Sequence, residues 1–266
     1  MSRVPALTAT GSRWAGPRLT VIVRGALLLL ASFAACSARA AETTWVEGQH
    51  YFLVQPPKPT EVPAGKVEVL EIFSYACPAC YRSYPLINKL KASLPATTRL
   101  RYLPASWHPE EDWKNFQRAF FAAQTLGLAE KTHDAIFDAI WKTGELATLD
   151  TATNRPKALM PTIADIARYY AKITPVKAED FLAAAQSFSV DAKMRQADEQ
   201  IKGYQADSTP TLIINGTYRL SPHTAGSDDE FIALATWLVK KSQPASAAKP
   251  VSAAKPVSAA KPATQH

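Results

Sequence analysis

Hydrophobic positions repeat with two different periods along this chain. Tyr51–Val54 is a short apolar run, and Val67–Tyr75 (VEVLEIFSY) alternates and is rich in β-formers. Both patterns predict strands, the second a central one. A proline-rich connector, QPPKPTEVPAG, lies between them. From Cys77 to about Leu94 the period lengthens, with Tyr81, Tyr84, Ile87, Leu90 and Leu94 at helical spacing. A strand is predicted next, at about Arg99–Leu103.

The following ninety or so residues are helical in pattern. Asn115–Leu128, Lys131–Trp141, Thr162–Tyr170, Ala178–Ser187 and Val190–Tyr204 are amphipathic or alanine-rich, and no strand pattern appears among them. Period two returns at Thr211–Ile214 and Tyr218–Leu220. Asn215–Gly216 joins them, a strong hairpin signal because both turn positions need positive φ. A closing helix is predicted from about Asp228 to Lys241. Residues 244–266 repeat the unit SAAKPV with no aromatic residue, so they are expected to form a disordered tail that cannot build a core.

Charge changes this picture only at the ends. The formal net charge of +7 suggests a nucleic-acid or membrane-surface partner until it is located. Arg3, Arg13, Arg18, Arg24 and Arg39 precede residue 41, Lys249, Lys255 and Lys261 lie in the tail, and neither stretch has an acid. Residues 41–243, the expected folded domain, keep 22 basic and 23 acidic side chains. So balanced a body has no long-range field to gather phosphates, and no nucleic-acid partner is expected.

Residues 1–40 read as a signal peptide. The arginines of its basic region end at Arg24, Gly25–Ala35 (GALLLLASFAA) is apolar, and Ala38–Arg39–Ala40 is a small-residue cleavage site. The apolar run is too short to span a bilayer, which needs about 20 residues. Export is therefore expected. Phe33–Ala34–Ala35–Cys36 also resembles a lipoprotein processing box, which gives an alternative, a membrane-anchored lipoprotein acylated at Cys36.

Cleavage after Ala40 removes Cys36 and leaves two cysteines, Cys77 and Cys80, in an oxidising compartment. A bond between them closes too short a loop to staple a domain, so the pair reads as reactive. The strand before it delivers Cys77 to a helix start, where up to four N–H groups lack helical partners. Those donors and the helix dipole favour a thiolate. Pro78 suits the first turn because its missing N–H costs nothing there. Cys77 is thus expected to be exposed and nucleophilic, and Cys80 to face the protein and resolve mixed disulfides. A zinc site and an inert buried pair are the competing readings. A closed zinc site needs four ligands, and His50, His108, His133 and His223 have no paired spacing, so no metal is expected.

Two further positions carry candidate chemistry. Glu71, on the core strand, is expected to be partly buried beneath the dithiol, where it takes or passes the proton that moves when Cys80 reacts. A solvated strand-edge acid is the alternative. Thr209–Pro210–Thr211 stands directly before a strand, a legitimate place for proline.

A C-x-x-C beside a β-α-β pattern points to a thioredoxin-like α/β fold, with the helical block at about 112–203 inserted between its halves. The stretch EIFSYACPACYRSYP, the Thr209–Pro210 loop and that insertion together resemble the DsbA-type periplasmic oxidases, over most of residues 45–241. The resemblance implies a periplasmic protein that donates a disulfide to newly exported, unfolded proteins. The Cys77–Cys80 disulfide would be its redox group, with no other cofactor. Cys77 matches the attacking cysteine, Cys80 the buried one, Glu71 the buried acid, and Pro210 a cis-proline. Such a bond leaves the Thr209 backbone free to pair with extended substrate. Reoxidation by a DsbB-like, quinone-linked membrane protein is also implied.

Two positions depart from the best-known members: Ala79 stands in place of a thiolate-stabilising histidine, and Thr209 in place of valine. Their extreme thiol acidity and oxidising power are therefore not carried over. A disulfide isomerase or reductase would use the same sulfurs, and a peptide-binding chaperone module would keep the disulfide as mere structure. Isomerases of this type carry an N-terminal dimerisation domain, for which no room precedes Tyr51, so a monomer is expected.

Overall fold

Why Val67–Phe73 becomes the middle of a sheet follows from what flanks it. The computed structural model describes residues 44–243 except 151 and 154; the expected signal peptide, Cys36 and the repeat tail lie outside them. In chain order come β1 (Phe52–Leu53), β2 (Val67–Phe73), α1 (Pro78–Ser93) and β3 (Thr98–Pro104). Next are α2 (Trp113–Thr125), α3 (Ala129–Trp141), β4 (Leu149–Asp150), β5 (Arg155–Pro156), α4 (Ile163–Ile173), α5 (Ala178–Ala185) and α6 (Phe188–Gly203). The chain closes with β6 (Thr211–Ile214), β7 (Tyr218–Leu220), α7 (Pro222–Ala225) and α8 (Asp228–Lys241).

The main sheet has the order β1-β7-β6-β2-β3, with β2 parallel to β3 and antiparallel to β6. The parallel pair needs a crossover, which α1 supplies. Every residue of β2 is buried. Glu68 and Glu71 lie on opposite faces of that strand, and neither reaches solvent. Helices cover both faces, so alternation here does not mark a wet side. The partial burial expected for Glu71 is corrected to complete burial for that reason.

Local chemistry sets most boundaries. Thr162 and Asp165 form a reciprocal cap at the start of α4, and the Ser187 and Ser227 side chains cap α6 and α8. Asn215 and Gly216 both have positive φ, 50° and 64°. Gly216 is required twice over, since a Cβ there would lie 2.0 Å from the Lys58 carbonyl oxygen of the connector. The β4–β5 ribbon breaks the expected all-helix block; at two residues per strand it carries no readable period. Stacked rings join α3 to α1: Tyr84 lies on Phe137 at 5.3 Å and Tyr81 on Trp141 at 5.7 Å.

Candidate active site

Because β6 runs antiparallel to β2, with Ile72 opposite Thr211, the end of β2 and the start of β6 share one edge of the sheet. The turn leading to Cys77 and the loop ending at Pro210 therefore meet. Cys77 is the N-cap of α1, in an extended conformation, with Pro78 in the first turn. Its sulfur takes the place that a serine or aspartate oxygen takes at other helix starts. The backbone N–H of Cys80 donates to it at 3.4 Å, and the Thr209 hydroxyl at 3.2 Å. The Thr209 carbonyl oxygen lies 3.7 Å from the same sulfur, and the Thr209–Pro210 bond is cis. Both cysteines are free thiols.

The electrostatics separate the two sulfurs. A hydrogen bond from Cys80, then the Thr209 hydroxyl and the N–H groups of Cys80 and Ala79, lower the Cys77 thiol to about 6 against the opposing effect of burial. Burial holds the Cys80 thiol well above the usual range, and the neighbouring Cys77 adds to this. Burial also raises Glu71 to about 8, reinforced by charge at Cys77. One oxygen of that carboxyl, Oε2, has no hydrogen-bond partner among the described residues. When Cys77 is a thiolate, Cys80 and Glu71 both still hold protons.

The geometry brings Cys77, Cys80, Thr209, Pro210 and Glu71 into one region, with Pro78 exposed and Ala79 half-buried at the rim. Ala79 adds a backbone donor but no side-chain group. The expectation that Cys77 is exposed is corrected: it is only 5% accessible. The Thr209 side chain and carbonyl lie against its sulfur and shield it, whereas a helix start considered alone predicts an open thiol.

Some partners have no signal in the sequence. Thr209 contributes its hydroxyl as well as its backbone. Tyr75, two residues before Cys77, shares a 3.1 Å hydrogen bond with Nδ1 of His133 and accepts the Trp141 indole N–H at its carbonyl, at 2.8 Å. His133 is buried and neutral, with burial and then Lys91 lowering it to about 3. No spacing rule links α3 to a turn so far away in the chain.

Proteins of one kind resemble this chain over most of its length. A thioredoxin family profile matches residues 62–233. The thiol:disulfide interchange protein DsbA of Pseudomonas syringae pv. tomato is 33% identical over 227 residues, 85% of this chain and 98% of that protein. The crystal structure of Pseudomonas aeruginosa DsbA superposes with a TM-score of 0.63 at 31% identity, covering 74% of this chain and 94% of that one. For the oxidoreductase DsbA of Xylella fastidiosa the values are 0.64 and 26%, with 74% and 97% covered. With sequence and fold in agreement, the chain belongs to the DsbA family of thiol:disulfide interchange proteins, built on a thioredoxin fold with a helical insertion.

Proposed function

We propose that this protein oxidises pairs of thiols in other proteins, using the Cys77–Cys80 disulfide as oxidant and no other cofactor. The observation that carries this reading is the Cys77 sulfur, held by two donors beside a Cys80 that burial keeps protonated. A substrate thiolate attacks Cys77 Sγ of the oxidised pair. The new S–S bond forms as the bond to Cys80 breaks, and Cys80 leaves with the electron pair. It needs a proton, which Glu71 is suited to supply because it still holds one near neutral pH. A second substrate thiolate then attacks the substrate's own sulfur. Cys77 departs as a thiolate, and its low pKa makes it a good leaving group. The substrate has lost two electrons and, as its thiols ionised, two protons to solvent. The protein is left with a Cys77 thiolate and a Cys80 thiol, and Glu71 regains its proton from water.

The substrates are unfolded, newly exported chains, whose extended backbone pairs with Thr209 ahead of Pro210. The basic and apolar leader supports a periplasmic location, and a DsbB-like, quinone-linked membrane oxidase restores the disulfide to a monomeric protein. N-terminal sequencing separates a mature chain starting at Ala41 from a lipoprotein starting at Cys36.

Incubating the oxidised protein with a reduced two-cysteine peptide tests the activity. Cys77→Ser should abolish peptide oxidation, and Cys80→Ser, incubated instead with the peptide in its disulfide form, should accumulate a mixed disulfide at Cys77. A Cys77→Ser variant that still oxidises the peptide overturns the reading. One that still protects unfolded chains from aggregation identifies a chaperone module. A strongly reducing potential of the wild-type pair identifies a reductase, and rearrangement of a scrambled disulfide substrate without net oxidation identifies an isomerase.

A further inference from the structure

We propose that helix α3 of the insertion sets the reactivity of the dithiol, with His133 and Trp141 as positioning residues that act on Cys77 through Tyr75. This rests on Cys77 being the attacking thiol. Tyr75 is buried two residues ahead of Cys77, and α3 holds it at both ends: His133 at the hydroxyl, Trp141 at the backbone carbonyl. The two α3 residues lie about 12 Å apart along the helix axis, so they bracket the tyrosine.

Each is itself braced. The His133 ring stacks on Tyr102 with centroids 4.1 Å apart and meets Phe73 of β2 edge-on at 5.0 Å. The Trp141 indole stacks on Tyr81, four residues after Cys77 on α1. The turn makes bonds of its own, from Cys77 N–H to the Ser74 carbonyl at 3.2 Å and from Ala76 N–H to the Ser74 hydroxyl at 3.3 Å. Neither fixes the Tyr75 carbonyl. That group is oriented by Trp141, and a buried carbonyl deprived of its donor seeks another, moving the turn with it.

The sulfur feels such movement directly. Its contact with the Cys80 N–H is 3.4 Å, an ordinary length for a sulfur acceptor, and hydrogen bonds weaken steeply with misalignment. A small displacement of the turn therefore weakens thiolate stabilisation without touching either cysteine.

The test measures the pH profile of Cys77, from thiolate absorbance and from the rate of alkylation by iodoacetamide, in the full-length reduced protein. Trp141→Phe keeps the ring and removes the donor; Tyr75→Phe keeps the ring and removes the hydroxyl. Each should move the Cys77 midpoint upward and slow alkylation below that midpoint by roughly 3- to 10-fold, because thiolate fraction falls tenfold per unit of pKa. His133→Gln, which retains a polar partner for Tyr75, should stay near wild type, whereas His133→Leu should shift like Tyr75→Phe. Profiles of Trp141→Phe and Tyr75→Phe that superimpose on wild type, with only the melting temperature lowered, overturn the proposal. If Trp141→Phe does not fold, the contrast between His133→Gln and His133→Leu decides it. A wild-type profile no different from that of Cys77→Ser defeats instead the assignment of Cys77 as attacking thiol.

Discussion

The Thr209 hydroxyl and the Cys80 N–H both donate to the Cys77 sulfur, and each has a measurable share in its acidity. Thr209→Val removes the first while keeping the shape. The thiolate loses stabilisation, so the Cys77 pKa should rise from about 6. A less stable thiolate makes the reduced form less favoured, and the pair should become more reducing. Titration of thiolate absorbance and equilibration with glutathione check both effects; an unmoved midpoint counts against the assignment. Ala79→His should act in the opposite sense, because an imidazole in the motif adds a donor and a positive charge beside the sulfur. A potential that stays the same or becomes more reducing would defeat that expectation. Glu71 gives a pH signature. Its folded pKa of about 8 exceeds the ordinary 4.5, so its contribution to stability is fully present below pH 4.5 and is lost as pH rises through 8. Glu71→Gln should therefore gain on wild type across that window, by on the order of 4–5 kcal/mol at its upper end. Cys77 runs the other way: with a folded pKa lowered to about 6, its contribution is present above pH 9 and is lost as pH falls through 6. Only the difference between wild type and variant isolates Glu71, and denaturant titrations at several pH values measure it. A difference that is flat with pH would sink the argument.

Among the elements, β3 and the connector are joined to β2 through one side chain. Arg101 donates to the buried Glu68 at 2.6 Å and to Glu61 of the connector at 2.5 Å, and the Glu61 N–H donates to the same Glu68 oxygen at 3.1 Å. Arg101→Met leaves a fully buried carboxylate without its cation. It should cost about 3 kcal/mol in urea unfolding, and adding Glu68→Leu should recover most of that loss, since an apolar pair needs no desolvation. If the single variant unfolds like wild type, the bridge is not what holds the connector. At this scale the sequence is an uneven guide. β2, α1 and the β6–β7 hairpin are legible because their signals are local: period two, proline after the first cysteine, and Asn215–Gly216. Glu68 and Cys77 are not, because their burial is imposed from a distance. The acids of β2 alternate just as they would on a strand with one wet face, and only the helices on both sides deny them water. The Thr209 hydroxyl and the α3 contacts to Tyr75 are likewise invisible, as they depend on which element docks where. The two-residue strands β4 and β5 are simply too short to show a period.

Across the whole molecule, the two ends of the described chain are clasped together. Lys241, in the last turn of α8, places its ammonium 5.5 Å from the Tyr51 ring, 5.2 Å from Tyr218 and 4.9 Å from Trp237. The residue before β1, the first residue of β7 and the outer side of α8 thus share one cation. Lys241→Ala should lower stability by about 1 kcal/mol with little effect on the dithiol, which a melting curve and a thiol titration on the same sample can separate. A changed Cys77 profile would contradict this separation of clasp and site. The distance between Cys77 and Thr209 along the chain, 132 residues, has a consequence of another kind. A ribosome releases the chain from its N-terminus, so both cysteines emerge long before the loop that shields one of them. Until β6 docks on β2, Cys77 has no Thr209 against it and behaves much more like any other cysteine of a growing polypeptide. Pairings so distant in sequence are among the last to form. The acidic, guarded thiol is thus a late acquisition, and a thiol:disulfide oxidase spends its own unfinished stage largely unable to act as one.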